Sequence, residues 1–103
     1  MTGSYGIYLS LARQVEAFLY DGDIKDRNGM FYVPEWLETA FKKGTFYFSS
    51  FKQPKKPGEA FIRCRGGSLL VKPGDYIVKD EDGQMFPVSK EQFERYYRWL
   101  EVI

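Results

Sequence analysis

The chain has no histidine among its 103 residues. That removes the commonest general base and the commonest metal ligand, and with them every Ser-His-Asp or Cys-His nucleophile. Cysteine occurs once, at Cys64, so no disulfide can form within the chain and a reducing compartment suits it. No Gly-rich phosphate loop of Walker or dinucleotide type is present. No apolar run approaches the length of a membrane span. The opening MTGSYGIYLSLARQVEAF lacks the basic start of a signal peptide, and Arg13, Gln14 and Glu16 break its apolar run. The net charge is only +1, too little field to coat DNA and far from the acidity of a DNA mimic. The expectation is a cytoplasmic protein without catalysis, cofactor or metal.

Aromatic residues, by contrast, are abundant: 9 Phe, 8 Tyr and 2 Trp make up 18% of the chain. Either a small β-rich domain fills its core with rings, or some rings sit on a binding face. Hydrophobic and charged fractions of 44% and 28% fit an ordinary globule, and the length fits one domain over residues 1–103.

Read along the chain, RQVEAFLY alternates Val15, Ala17 and Leu19 against Gln14, Glu16, Phe18 and Tyr20, the period of a strand. DGDIKDRNG is a polar loop. MFYVPEWLETAFKKG reads as a short strand entering a helix, with Pro34 in the first turn, Glu35 and Glu38 at the positive end of the dipole, Lys42 and Lys43 at the negative end, and Gly44 as terminator. TFYFSSF is a strand, KQPKKPGE a loop, and AFIRCR and SLLV a hairpin about Gly66-Gly67. Lys72-Pro73-Gly74-Asp75 has type II turn chemistry. YIVKD and QMFPV form a second hairpin about Asp82-Gly83, and Pro87 confines the latter to an edge. Ser89 and Gln92 form a capping box for a final helix whose stripe is Phe93, Tyr96, Tyr97 and Leu100. KPGEAFIR and KPGDYIVK echo one another as turns that launch strands. The fold class expected is α+β: a small, strongly bent antiparallel sheet or partly open barrel, with two packed helices at about 34–43 and 90–100.

Few residues carry chemistry. Cys64 lies between two arginines, which favours a thiolate, but strand alternation places it inward with Ala60 and Ile62, as a buried structural residue. The carboxylates of DGDIKD do not make a calcium loop, since Lys25 and Asp26 stand where an oxygen ligand and a glycine are needed. Asp80, Glu81 and Asp82 belong to a solvated hairpin tip. The candidate binding surface is basic and aromatic: Phe51, Lys52, Lys55 and Lys56 in the loop, then Arg63 and Arg65 beside Phe61, with Tyr76 a weaker candidate. Basic groups interleaved with rings suit an anionic partner, though a solubilising loop and a solvated strand face have the same composition.

VEAFLYDGD, YVPEWLETAF and VKPGDYIVKDEDGQMFPVSKEQFERYY resemble, in order and spacing, a group of small phage and prophage proteins of unknown function. That group pairs a VEAFQ-like strand with a closing segment of a GD-aromatic-Ile strand and a Gly-x-x-aromatic-Pro turn. The likeness runs from Val15 to Tyr97. Relatives commonly continue with Cys-Lys-Pro where this chain has Val88, Ser89 and Lys90, so a function tied to that cysteine does not carry over. The SSFKQPKKPGE loop is longer than in typical relatives. The resemblance implies a phage origin and action inside a bacterial host, and brings no catalytic residues. The leading expectation is therefore a binding protein that engages a host protein, as a host-defence inhibitor. The alternatives are a small-molecule binder that sequesters nucleotide immune signals, in which Arg63 and Arg65 clamp phosphate, and a single-stranded nucleic-acid binding module. A homo-oligomer would suit the nucleotide alternative.

Overall fold

Two antiparallel sheets and two helices make up the fold in the computed structural model, which describes residues 5–10, 13–48 and 58–102. The α+β class expected from the sequence is the one observed. The larger sheet contains β1 (Tyr5–Ser10), β2 (Arg13–Leu19), β6 (Tyr76–Lys79), β7 (Met85–Val88) and β8 (Tyr97–Val102), in the order β7-β6-β2-β1-β8. The smaller contains β3 (Phe46–Phe48), β4 (Ala60–Cys64) and β5 (Gly67–Val71), in the order β3-β4-β5. Helix α1 (Glu35–Lys43) lies between β2 and β3 in the chain, and α2 (Lys90–Tyr96) between β7 and β8.

The single bent sheet becomes two because β5 and β7 approach each other without a hydrogen-bonded ladder, so no barrel closes. The chain passes from one sheet to the other through the Lys72–Asp75 turn, where Asp75 N–H donates to Lys72 O at 2.9 Å and Gly74 takes φ +98°. Tyr20 anchors that turn: its N–H donates to Asp75 O at 2.9 Å and its carbonyl accepts from Gly74 N–H at 2.8 Å.

Register explains the core. Ala17 pairs with Val78 and Phe18 with Ile77, so one face of the larger sheet presents Phe18, Tyr20 and Ile77 to α1 and the smaller sheet. There they pack with Leu37, Phe46 and Ile62. The other face presents Val15, Ala17 and Val78 to Phe93 of α2. Phe18 and Tyr20 are fully buried, against the half-exposed strand that alternation implies, because both faces of the sheet are covered.

Local chemistry sets the ends of the elements. Gly44 closes α1 at φ +84°, and the last turn is satisfied by Gly44 N–H to Phe41 O at 3.1 Å and Thr45 N–H to Ala40 O at 2.9 Å. Ser89 Oγ accepts from Gln92 N–H at 3.3 Å at the start of α2. That helix stops at Tyr96 rather than running to 100. Tyr97 is extended (φ −118°, ψ 146°), and Tyr97–Val102 forms a ladder with β1. A ladder of tyrosine, tryptophan and valine outcompetes the extension of a two-turn helix, which propagates weakly by itself. Strand β1 itself had no counterpart in the sequence reading. The expected strand before α1 reduces to one bridge, Lys25 with Phe31. The first hairpin turns at Arg65-Gly66, one residue early, since Cys64 pairs with Gly67. Pro87 lies on β7, an edge of the larger sheet, as expected.

Candidate functional site

The inner face of the larger sheet extends past its core. Glu16 and Lys79 are paired across β2 and β6 on the same side as Phe18 and Ile77, and Met85 continues the row on β7. Facing them, the smaller sheet's inner side runs Val71, Leu69 and Gly67 on β5 opposite Ala60, Ile62 and Cys64 on β4. The two sheets are tied at the Lys72–Asp75 turn, and toward the hairpin tips they leave a cleft of about 1080 Å³. Ile62, Ala40 and Leu69 form its apolar wall, and Trp36 of α1 contributes an indole.

Among the described residues, four basic side chains line this cleft, Lys43, Arg63, Arg65 and Lys79, against two acidic ones, Glu16 and Glu35. Lys79 Nζ is 3.3 Å from Glu16 Oε2 and 6.0 Å from the centroid of Trp36, so this cation is already engaged. Arg63 is engaged as well. Its Nε donates to Gly44 O at 3.1 Å, and its guanidinium lies 4.7 Å over the Tyr47 ring. Tyr47 in turn stacks on Phe61 and hydrogen-bonds Ser68. Lys43 and Arg65 are exposed and have no ion pair among the described residues. The cleft therefore carries excess positive charge, supplied at its mouth by Lys43 and Arg65. Trp36 also carries an indole Nε1 that is buried and without an acceptor among the described residues.

The residues singled out from the sequence separate. Arg63 and Arg65 both reach the cleft, Arg65 without an ion pair among the described residues and Arg63 as a brace between β4 and the end of α1. Tyr76 lies on the opposite face of the larger sheet. Its ring stacks on Phe93 at 3.8 Å, and Phe93 stacks on Tyr97 at 4.5 Å. Burial, then the charge of Glu94, raises its hydroxyl pKa above the ordinary tyrosine value. Phe51, Lys52, Lys55 and Lys56 lie outside the described residues. Cys64 shares the inward face with Ala60 and Ile62 as expected, yet it is exposed and not buried. The core ends at Ile62, and Cys64 falls two residues further on, in the mouth of the cleft.

Sequence reasoning missed Trp36, Lys43, Lys79 and Met85. Lys43 reads as a helix-dipole partner and Trp36 as a core ring, and no local pattern brings α1 opposite the β6–β7 hairpin. The acidic loops behave as expected of turns. Asp26 Oδ1 accepts from Asn28 and Met30 N–H, and Asp80 Oδ1 from Asp82 and Gln84 N–H. No helix among the described residues is long and apolar enough to cross a membrane. No family model, no curated protein and no solved structure matches this chain.

Proposed function

We propose that the chain is a non-catalytic binding protein that takes an anionic partner at the cleft between its two sheets. With the phage-type resemblance, the partner is a host protein in the bacterial cytoplasm, and its capture inhibits host function. One observation carries the reading: Lys43 and Arg65 stand without an ion pair among the described residues, at the mouth of a concave, partly apolar surface. Exposed cations that no internal acid satisfies cost the fold little and remain available to a partner.

A tagged pull-down from host lysate tests this, comparing the wild-type chain with a Lys43→Glu, Arg65→Glu variant. A stoichiometric host protein retained by the first and lost by the second is the expected result. Equal capture by both removes the cleft from the reading. A separate Lys52→Glu, Lys55→Glu, Lys56→Glu variant assigns or removes the loop.

A second reading, sequestration of a nucleotide, is favoured by Trp36. A cleft of this size falls near the range of small-molecule sites, and the half-buried Trp36 ring lines it. Isothermal titration with ATP distinguishes it from the first.

A further inference from the structure

Helix α1 runs along the cleft, and its exposed stripe changes sign from one end to the other. Glu35, Thr39 and Lys43 recur at every fourth residue, are all exposed, and all line the cleft. The Glu35 end lies beside β6, where Lys79 Nζ is 6.0 Å from the Trp36 ring. The Lys43 end lies beside β4, where Arg63 N–H donates to Thr45 O at 2.8 Å and Arg63 Nε to Gly44 O at 3.1 Å. Arg65, two residues further on, brings a second cation to that end of the cleft.

Internal contacts engage some of these charges and leave others. Glu16 is held by Lys79 at 3.3 Å, and Arg63 by the Gly44 carbonyl and the Tyr47 ring. Glu35, Lys43 and Arg65 have no ion pair among the described residues. The cleft therefore offers one carboxylate at one end and two cations at the other, with Ala40, Ile62 and Leu69 as its apolar wall. A uniformly anionic molecule filling it meets Glu35 with like charge, whereas a dipolar one is matched at both ends. Spacing narrows the choice. Eight helical residues at a rise of about 1.5 Å set Glu35 and Lys43 about 12 Å apart. Four residues of extended chain at about 3.3 Å each cover about 13 Å, and their positions i, i+2 and i+4 share one side. Resting on the binding reading above, we propose that the cleft takes an extended segment of the partner protein with the pattern basic-x-apolar-x-acidic. Its cation meets Glu35, its acid meets Lys43 and Arg65, and the apolar side chain between them packs on Ala40 and Leu69. The acidic end satisfies the cations already assigned to the partner, and the basic end is the new requirement.

The probe is a fluorescein-labelled peptide containing KTLTED, titrated against the full chain by anisotropy. Saturable binding is expected, weakened at least about fivefold by Glu35→Lys. The analogue ETLTED should bind the wild-type chain more weakly than KTLTED does and the Glu35→Lys variant more tightly, a reversal that an unfolded variant cannot give. Moving the lysine beside the leucine, in TKLTED, turns it to the other side of the strand and should cost as much as Glu35→Lys. Absence of KTLTED binding, indifference to Glu35→Lys, equal binding of TKLTED, or no reversal with ETLTED each overturns the dipolar segment. ATP binding by a chain that ignores the peptide overturns it in favour of a nucleotide. If the peptide fails while Lys43→Glu, Arg65→Glu still abolishes lysate capture, only the segment inference falls. If that variant captures normally, the binding reading falls as well.

Discussion

Gly58 and Gly44 both adopt left-handed backbone, at φ +86° and +84°, yet they tolerate a side chain very differently. A Cβ on Gly44 meets nothing within 4 Å, whereas one on Gly58 comes to 2.9 Å from Pro73 Cγ and 3.1 Å from Gly22 Cα. Gly44→Ala therefore carries only the conformational cost, about 1–2 kcal/mol. Gly58→Ala adds overpacking against backbone and a rigid ring, for a total of about 2–5 kcal/mol. Urea denaturation of the two variants checks both the order and the gap. Gly58 and Pro73 belong to the two Lys-Pro-Gly runs of the sequence, so the echo visible there is also a close approach in the fold. Turn type at Lys72–Asp75, the Gly44 terminator and the Ser89 cap were all legible, because each depends on a few neighbouring residues. The closeness of Gly58 to Pro73 was not, since 15 positions separate them in the chain.

At the scale of elements, β2 shows where periodicity stops informing. Alternation located the strand but implied a single buried face, and the chain instead covers both. Val15 and Ala17 lie under α2, and Phe18 and Tyr20 lie under α1 and the smaller sheet. Such two-sided burial comes from tertiary packing, which a period of two cannot report. The same limit hid the cleft, whose walls come from α1, β4, β5 and the β6–β7 hairpin. Within reach of sequence were Arg63 and Arg65, and structure alone distinguishes the braced Arg63 from Arg65, which has no ion pair among the described residues. Helix α2 has two turns and one buried side chain, Phe93, so its docking depends on that ring. Phe93→Ala removes the middle of the Tyr76–Phe93–Tyr97 stack and should cost about 3–5 kcal/mol. Thermal denaturation gives the loss, and near-ultraviolet circular dichroism should show weakened tyrosine bands. Lysate capture at the cleft, on the opposite face, should survive at temperatures where the variant is folded.

Across the whole molecule, the two sheets are fastened at one end and splayed at the other, and tyrosines hold the fastening. The Tyr20 hydroxyl donates to Gly58 O, bridging the end of β2 to the approach to β4, and the Tyr32 hydroxyl donates to Asp21 Oδ1 at 2.6 Å. Burial first, then the neighbouring carboxylates, raises the pKa of Tyr20 well above the ordinary value. For Tyr32 the order is burial, the hydrogen bond to Asp21, and the surrounding acids. Folded and unfolded chains both keep these protons below about pH 10, so the contribution to stability is complete there. Above that pH the unfolded chain releases them first. It then binds fewer protons than the folded chain, and stability falls as pH rises toward the raised folded values. Urea midpoints should accordingly be flat in this respect from neutral pH to about pH 9 and decline beyond about pH 10. Tyr20→Phe should lose about 1 kcal/mol at neutral pH, for one hydrogen bond, while making the alkaline decline shallower. A decline of equal steepness in Tyr20→Phe and the wild-type chain would place the alkaline sensitivity elsewhere. Because the cleft opens away from this fastening, Arg65→Glu should leave the pH profile of stability unchanged while altering capture of an anionic partner.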